Sequence, residues 1–299
     1  MEAFATRAGG GGDVAVALLG WRAIIAVLIA AAPGIARAAD AMSVGTTPPA
    51  SASPDWIVTV GLETRMVPAW PGASDAKLAL TGLPLFGVRP AGTPPTFTGA
   101  RDSIGFGIVD LGQVKLGPAF KLVWERNASD HAALNGLGNV DYALQAGGFA
   151  EYWPVPWLRL RGEVRQGFGG ETGVTGDMFV DAVVPLGQFR LSGGPRLTLQ
   201  STDAVSPYFS INAAQSVASG VSFSPPLPVY NATGGLYSVG SGGKVEYFWS
   251  PQWATHAFME YERLTGSVAD SPLVTQRGSP NQITIGMGAT YSFQMHSLW

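Results

Sequence analysis

Cysteine is absent from the 299 residues, which excludes a disulfide, a thiolate metal site, a cysteine nucleophile and a lipidated amino-terminal cysteine. Histidine is scarce: His131, His256 and His296 are the three present, and no two sit at the spacing of a helical zinc motif. Charge is scarce too, at 13% of residues against roughly 25% in an ordinary soluble domain. No stretch of the mature chain reaches the ~18 consecutive apolar residues of a membrane-spanning helix, because charges, Gly or Pro interrupt every candidate. If such a chain crosses a membrane, it does so as a closed sheet whose backbone groups are satisfied between strands.

What is abundant fits that form. There are 40 glycines, and 10% of residues are aromatic. The amino terminus reads as a signal peptide: Arg22, the apolar run from Ala23 to Ala32 and the small-residue site Ala36-Arg37-Ala38 predict residues 1–38 as the exported segment. A retained helical anchor is the weaker reading, because the apolar run is short. Cleavage removes three arginines and two carboxylates from a chain of net charge −3, leaving −4. That mild acidity argues against nucleic acid as a partner. Residues 39–55, rich in Ser, Thr, Pro and Ala, read as a flexible leader, and 56–299 as a single barrel domain.

From Trp56 the chain alternates with period two. Val58, Val60, Leu62 and Met66 share one face, and Thr59, Gly61, Glu63 and Arg65 the other. Leu158, Leu160 and Val164 alternate with Arg159, Arg161, Glu163 and Arg165, a charged row that the core of a soluble domain would not accept but a solvated lumen or wet sheet face would. Ile283, Ile285, Met287, Tyr291 and Phe293 alternate with Thr284, Gly286, Gly288 and Ser292. This is the pattern of a strand with lipid on one side and a polar lumen on the other. The strands predicted are 56–67, 78–89, 103–110, 114–126, 138–152, 157–167, 176–185, 188–200, 207–213, 234–249, 253–264 and 281–293. The expected fold is all-β: one antiparallel transmembrane β-barrel of about 12 strands, with 10 to 14 possible. Trp70, Trp153, Trp157, Tyr208, Tyr230, Trp249 and Trp253 fall near the ends of predicted strands, as interfacial girdles do.

One conflict arises at this stage. Short periplasmic turns should alternate with longer outer loops, yet the tight links at 110–113, 154–156 and 185–187 have one parity and the link at 250–252 the other. Either a strand is miscounted, with 213–231 and 73–90 the suspect regions, or some turns break the rule.

Candidate chemistry is thin. Glu63, Arg65, Arg159, Arg161, Glu163, Arg165, Glu246, Glu260 and Glu262 are the expected lumen charges. They can either line an anion-preferring channel or pair across strands and fill a narrow barrel; the filled reading is favoured. His256, Glu260 and Glu262 share a strand face, but strand neighbours at i+4 lie ~13 Å apart, too far to form one metal or proton-transfer site. No G-x-S-x-G elbow is present, and the glycine runs 9–12 and 240–243 lack the Lys-Ser/Thr and helix of a phosphate loop. No catalytic residue, metal or cofactor is expected. Gln215, Ser216, Ser219, Ser271 and Pro272 are the candidates for partner contact or loop closure, in the long segments 213–231 and 267–280.

Several segments resemble the MipA/OmpV family of MltA-interacting outer-membrane proteins. They are 67–74 (VPAWPGAS), 117–120 (GPAF), 134–141 (LNGLGNVD), 207–211 (PYFSI), 214–220 (AQSVASG), 261–264 (YERL), 269–274 (ADSPLV) and 291–293 (YSF). They span nearly the whole mature chain in the family's order. The resemblance implies an outer-membrane scaffold that brings a murein-degrading lytic transglycosylase together with a murein synthase; other members are described as osmoregulated or adhesive. The tail 294–299 departs from the pattern by extending past Phe293, with Trp299 a second candidate for the terminal aromatic. The other functions left open are a small-solute channel, for which inward Gly286 and Gly288 would leave room, and a surface adhesin.

Overall fold

The computed structural model describes residues 56–81, 86–92, 97–222 and 224–295. The expected signal peptide and leader, His296 and Trp299 lie outside them.

Period-two alternation becomes one curled antiparallel sheet of thirteen segments. They are β1 (Trp56–Pro68), β2 (Ala76–Thr81), β3 (Gly87–Pro90), β4 (Ile104–Gly105), β5 (Val109–Asp110), β6 (Val114–Val123), β7 (Ala143–Val155), β8 (Leu158–Gly169), β9 (Val174–Leu186), β10 (Phe189–Gln200), β11 (Gly235–Phe248), β12 (Trp253–Leu264) and β13 (Asn281–Met295). The sheet is an outer-membrane type of β-barrel wall. The strands follow chain order around it, and β13 returns to pair with β1 from Trp56↔Met295 to Met66↔Ile285. β2 and β3 lie end to end along β1, and β4 and β5 along β6. The single predicted strands 78–89 and 103–110 are thus each two short pieces.

Outward faces carry the apolar residues. Leu62, Met66, Leu160, Val164, Phe168, Met178, Ile283, Ile285 and Met287 are exposed, while Glu63, Arg159, Arg161, Glu163 and Arg165 are buried on the opposite face. No described helix is long and apolar enough to cross a membrane, so any crossing belongs to the strands.

The predicted strand 207–213 is wrong, and the error explains the parity conflict. Its first residues belong to helix α1 (Thr202–Phe209) and its last to the start of α2 (Ala213–Ser219). Tyr208, Phe209 and Ile211 have the composition of a strand but are buried among other loops, not on a sheet. With that strand removed, the links after β5, β7, β9 and β11 all fall at one end, here the turn end, together with Trp56 and Met295. At the opposite loop end lie 69–75, 124–142, 170–173, 201–234 and 265–280. Two further helices, α3 (Gly266–Ala269) and α4 (Pro272–Arg277), sit in the last of these.

One connection does not run outside the sheet. β3 is antiparallel to β1 and β4 to β6, while β1 and β6 point the same way, so β3 and β4 both run toward the turn end. The chain between them must climb back, and its described residues 97–103 do so through the interior, against side chains of β8, β10, β11 and β12.

Candidate functional site

Strand β8 builds the centre of the interior. Its inward side chains at alternate positions are Arg159, Arg161, Glu163 and Arg165, facing Asp181, Phe179, Asp177 and Thr175 of β9 and flanked by Glu151 of β7. Arg159 is 0% exposed and touches three carboxylates: Glu151 at 2.8 Å through Nε, Asp181 at 3.0 Å through Nη1 and Asp102 at 2.5 Å through Nη2. Arg161 donates to Glu163 at 2.7 Å and to Glu151 at 3.2 Å, with its guanidinium 3.8 Å above the Phe149 ring. Arg165 joins Glu163 to Asp177 and donates to Gln145 at 3.0 Å. Arg196 of β10 pairs with Asp181 at 2.7 Å and Glu260 at 3.4 Å.

The inner segment 97–103 is locked into this network. Arg101 donates to Glu262 at 2.9 Å and Thr198 at 3.2 Å, Asp102 receives Arg159, and the Ser103 amide donates to Glu163 at 3.2 Å. Phe97 is buried beneath the guanidiniums of Arg159 and Arg190. In so dry an interior each ion is tolerable only because several partners share its charge. The segment therefore both fills the lumen and supplies charges that the wall needs.

The other expected lumen charges have separate partners. Glu63 pairs with Arg65 and, at 2.8 Å, with His256; Glu246 pairs with Arg190 at 2.6 Å and Lys244 at 3.1 Å. His256, Glu260 and Glu262 are not brought together, since each contacts a different residue. The space beside Gly286 and Gly288, one motive for a channel, is taken: a Cβ there would lie 2.4 Å from the Phe258 ring and 2.7 Å from His256. Among the described residues no His, Asp or Glu cluster suits a metal ion.

The loop end carries a different core. Trp70, Leu134, Leu137, Ile211, Leu227 and Leu273 form one buried apolar cluster; Val140, Val205, Phe209, Leu264, Val268 and Val274 form another. Four loops contribute, so the barrel wears a packed cap. The residues singled out for partner contact or loop closure lie in it. Gln215 completes a capping box with Asn212 and its side chain donates to the Leu137 carbonyl at 2.5 Å. Ser216 donates to Leu227 O at 2.6 Å, and the Ser219 hydroxyl accepts from the Leu227 amide at 2.9 Å. Ser271, fully buried, donates to Phe209 O at 2.8 Å, and Pro272 opens α4. Each ties one loop to another or closes its own turn.

Two glycines permit the close approach. Gly136 has φ +86°, and a Cβ there would meet the Ala218 carbonyl carbon at 2.6 Å; Gly72, φ +100°, would meet Val274 at 2.9 Å. Between cap and lumen, Arg126 donates to the Tyr208 carbonyl at 2.7 Å and faces the Tyr208 ring. Its guanidinium donates to the backbone carbonyls of Tyr208, Gly138 and Pro207, and burial brings its pKa down to about 10, while the Tyr208 phenol is pushed up to about 12. Burial likewise raises the Glu171 carboxyl, against the hydrogen bond it accepts from Gln145.

Asp102, Arg101, Glu151, Asp177, Asp181 and Arg196 were not anticipated. The usable signal was charge bookkeeping: three inward arginines on β8 require carboxylates beyond Glu163, and Asp177 and Asp181 share one face of β9.

Comparison with known proteins returns a family model described as MltA-interacting protein MipA, matching residues 60–293. No curated protein sequence matches the chain. Solved structures of similar outline include the NanC porin, with 8% identity and TM-score 0.38, covering 79% of this chain and 98% of that one. An outer membrane channel from Pseudomonas putida F1 has 9% identity and TM-score 0.36, covering 84% and 100%. A loop-deleted OmpT, an outer membrane protein of Vibrio cholerae, has 9% identity and TM-score 0.36, covering 80% and 98%.

Proposed function

We propose, starting from the premise that the chain belongs to the MltA-interacting protein MipA family, that it is a closed, non-catalytic anchor recruiting murein-processing enzymes. It is a β-barrel protein of the Gram-negative outer membrane. The enzymes recruited would be a lytic transglycosylase, as the family description suggests, and a murein synthase. By the rule that periplasmic turns are short and outer loops long, the turn end faces the periplasm. The partners then meet the links 111–113, 156–157, 187–188 and 249–252.

The observation that carries this reading is the filled interior. A transport channel needs a continuous wet path, whereas here Arg159, Arg165, Glu163 and Asp181 are almost wholly buried and residues 97–103 cross the same space.

Planar-bilayer recordings of the refolded barrel, paired with pull-down of a purified lytic transglycosylase, test the reading. No stable conductance steps and retention of the enzyme are expected. Steps that persist at fixed voltage would replace the anchor with a channel. A silent barrel that retains neither a transglycosylase nor a synthase would leave the recruitment role without basis.

A further inference from the structure

Among the described residues, the lumen is not filled to its end. At the turn end a cavity of about 290 Å³ opens between β1, β3, β10, β11, β12 and β13, at the small end of the roughly 300–1,000 Å³ of small-molecule sites. Arg190 and Lys244 bring two cations to its lining, where Glu246 is the one carboxylate among the described residues. His256, also in the lining, is turned to Glu63 at 2.8 Å. Positive charge therefore exceeds negative.

The donors are placed but not saturated. Arg190 meets Glu246 through Nε at 2.6 Å, which leaves the Nη donors of its planar fork for another acceptor. Lys244 is held at 3.1 Å by Glu246 and at 3.1 Å by the carbonyl of Thr98, a weaker acceptor that an ionised ligand would displace. Thr59, Thr290 and Ser292 line the cavity beside these cations, the Thr59 and Ser292 hydroxyls bonded to each other at 2.7 Å and the Thr290 hydroxyl donating to the Ala254 carbonyl at a long 3.5 Å. Phe248, its ring 5.1 Å from the Arg190 guanidinium, and Phe86 give the lining an apolar part. A fork of cations, several hydroxyls and aromatic carbon in so small a space match one ligand chemistry: a carboxylate on a hydroxyl-rich ring.

We propose that this vestibule binds a sugar acid, its carboxylate on Arg190 and Lys244 and its hydroxyls on Thr59, Thr290 and Ser292. Because the lumen beyond is filled, the ligand is held at the mouth and not passed through. The site stands independently of the recruitment role, since no protein partner enters the argument.

Titration calorimetry of the whole barrel in detergent with sodium glucuronate, and with glucose and acetate beside it, tests the site. Saturable binding of glucuronate is expected, with glucose and acetate each much weaker. Lys244→Gln should weaken binding about tenfold, the loss of one charge-assisted hydrogen bond. Glu246→Gln should strengthen it, because the competing carboxylate is gone; damage to the fold cannot produce that sign. Heat-modifiable migration on a detergent gel verifies that each variant is folded. No binding of glucuronate at concentrations on the order of 10 mM, or folded Lys244→Gln binding as the parent does, would overturn the site. Equal binding of acetate and glucuronate would overturn its specificity for a sugar.

Discussion

The cap and the lumen are both buried, yet they are built of opposite materials. The cap encloses Leu134, Phe209, Ile211, Leu227 and Leu273, whereas the lumen encloses Arg159, Arg165, Glu163 and Asp181 to a similar degree. The difference follows from the solvent on the far side of each. A strand alternates, so a wall that gives its apolar residues to lipid leaves polar ones facing inward. The cap loops owe nothing to lipid and can turn their apolar residues toward one another, as the loops of a soluble domain do. Burial in this protein thus rests on ion pairing in one region and on apolar area in the other.

The lumen should be the more sensitive of the two to a single change. Arg159→Met removes the one cation held in common by Glu151, Asp181 and Asp102. Stranding buried charge in this way costs about 3–5 kcal/mol. The temperature at which the folded gel band converts to the unfolded one should fall markedly, and residues 97–103 should become accessible to protease. If conversion temperature and protease pattern both match the parent, the lumen charges are solvated and the comparison fails.

In the cap, Leu273→Ala leaves a cavity where Trp70, Leu134 and Leu227 meet, at a cost of about 2–5 kcal/mol. The expected loss is local. Protease should cut within 201–234, while the conversion temperature of the barrel stays near that of the parent. A large drop in that temperature would mean that cap and wall unfold as one unit.

The sequence disclosed these two regions unequally, for physical reasons. Alternation on β1, β8 and β13 is imposed by lipid and water on opposite faces, so it can be counted, and the inward charges Glu63, Arg159, Arg161, Glu163 and Arg165 came with it. Cap segments have no such period. Pro207-Tyr208-Phe209-Ser210-Ile211 has the aromatic and β-branched content of a strand, yet apolar contacts with other loops place its first part in a helix. The opening Ser201-Thr202-Asp203 was a legible helix start, obscured by the richer apolar run after it. The inner course of 97–103 was illegible altogether, because it depends on β3 and β4 pointing the same way, a property of strand pairing and not of local composition. The segments that resemble the family, by contrast, fall mostly in the cap: 67–74, 134–141, 207–211, 214–220 and 269–274 lie there wholly or in large part.

The border between the two regions gives the smallest effect and the finest test. Glu171, in the 170–173 link, is buried, and its carboxyl is raised above the usual range by that burial. A raised folded-state pKa means that the folded protein holds the proton more tightly than the unfolded chain does. Stability is therefore greatest below the ordinary carboxyl value and declines as pH rises toward the raised value, after which the loss is constant. Glu171→Gln keeps an oxygen for the hydrogen bond from Gln145 and removes the ionisation. The variant should thus be more resistant than the parent to protease cleavage of the cap at neutral pH, and the two should converge in mild acid. If resistance instead falls at neutral pH, the ionised carboxylate is an asset, and Glu171 belongs with the paired charges of the lumen.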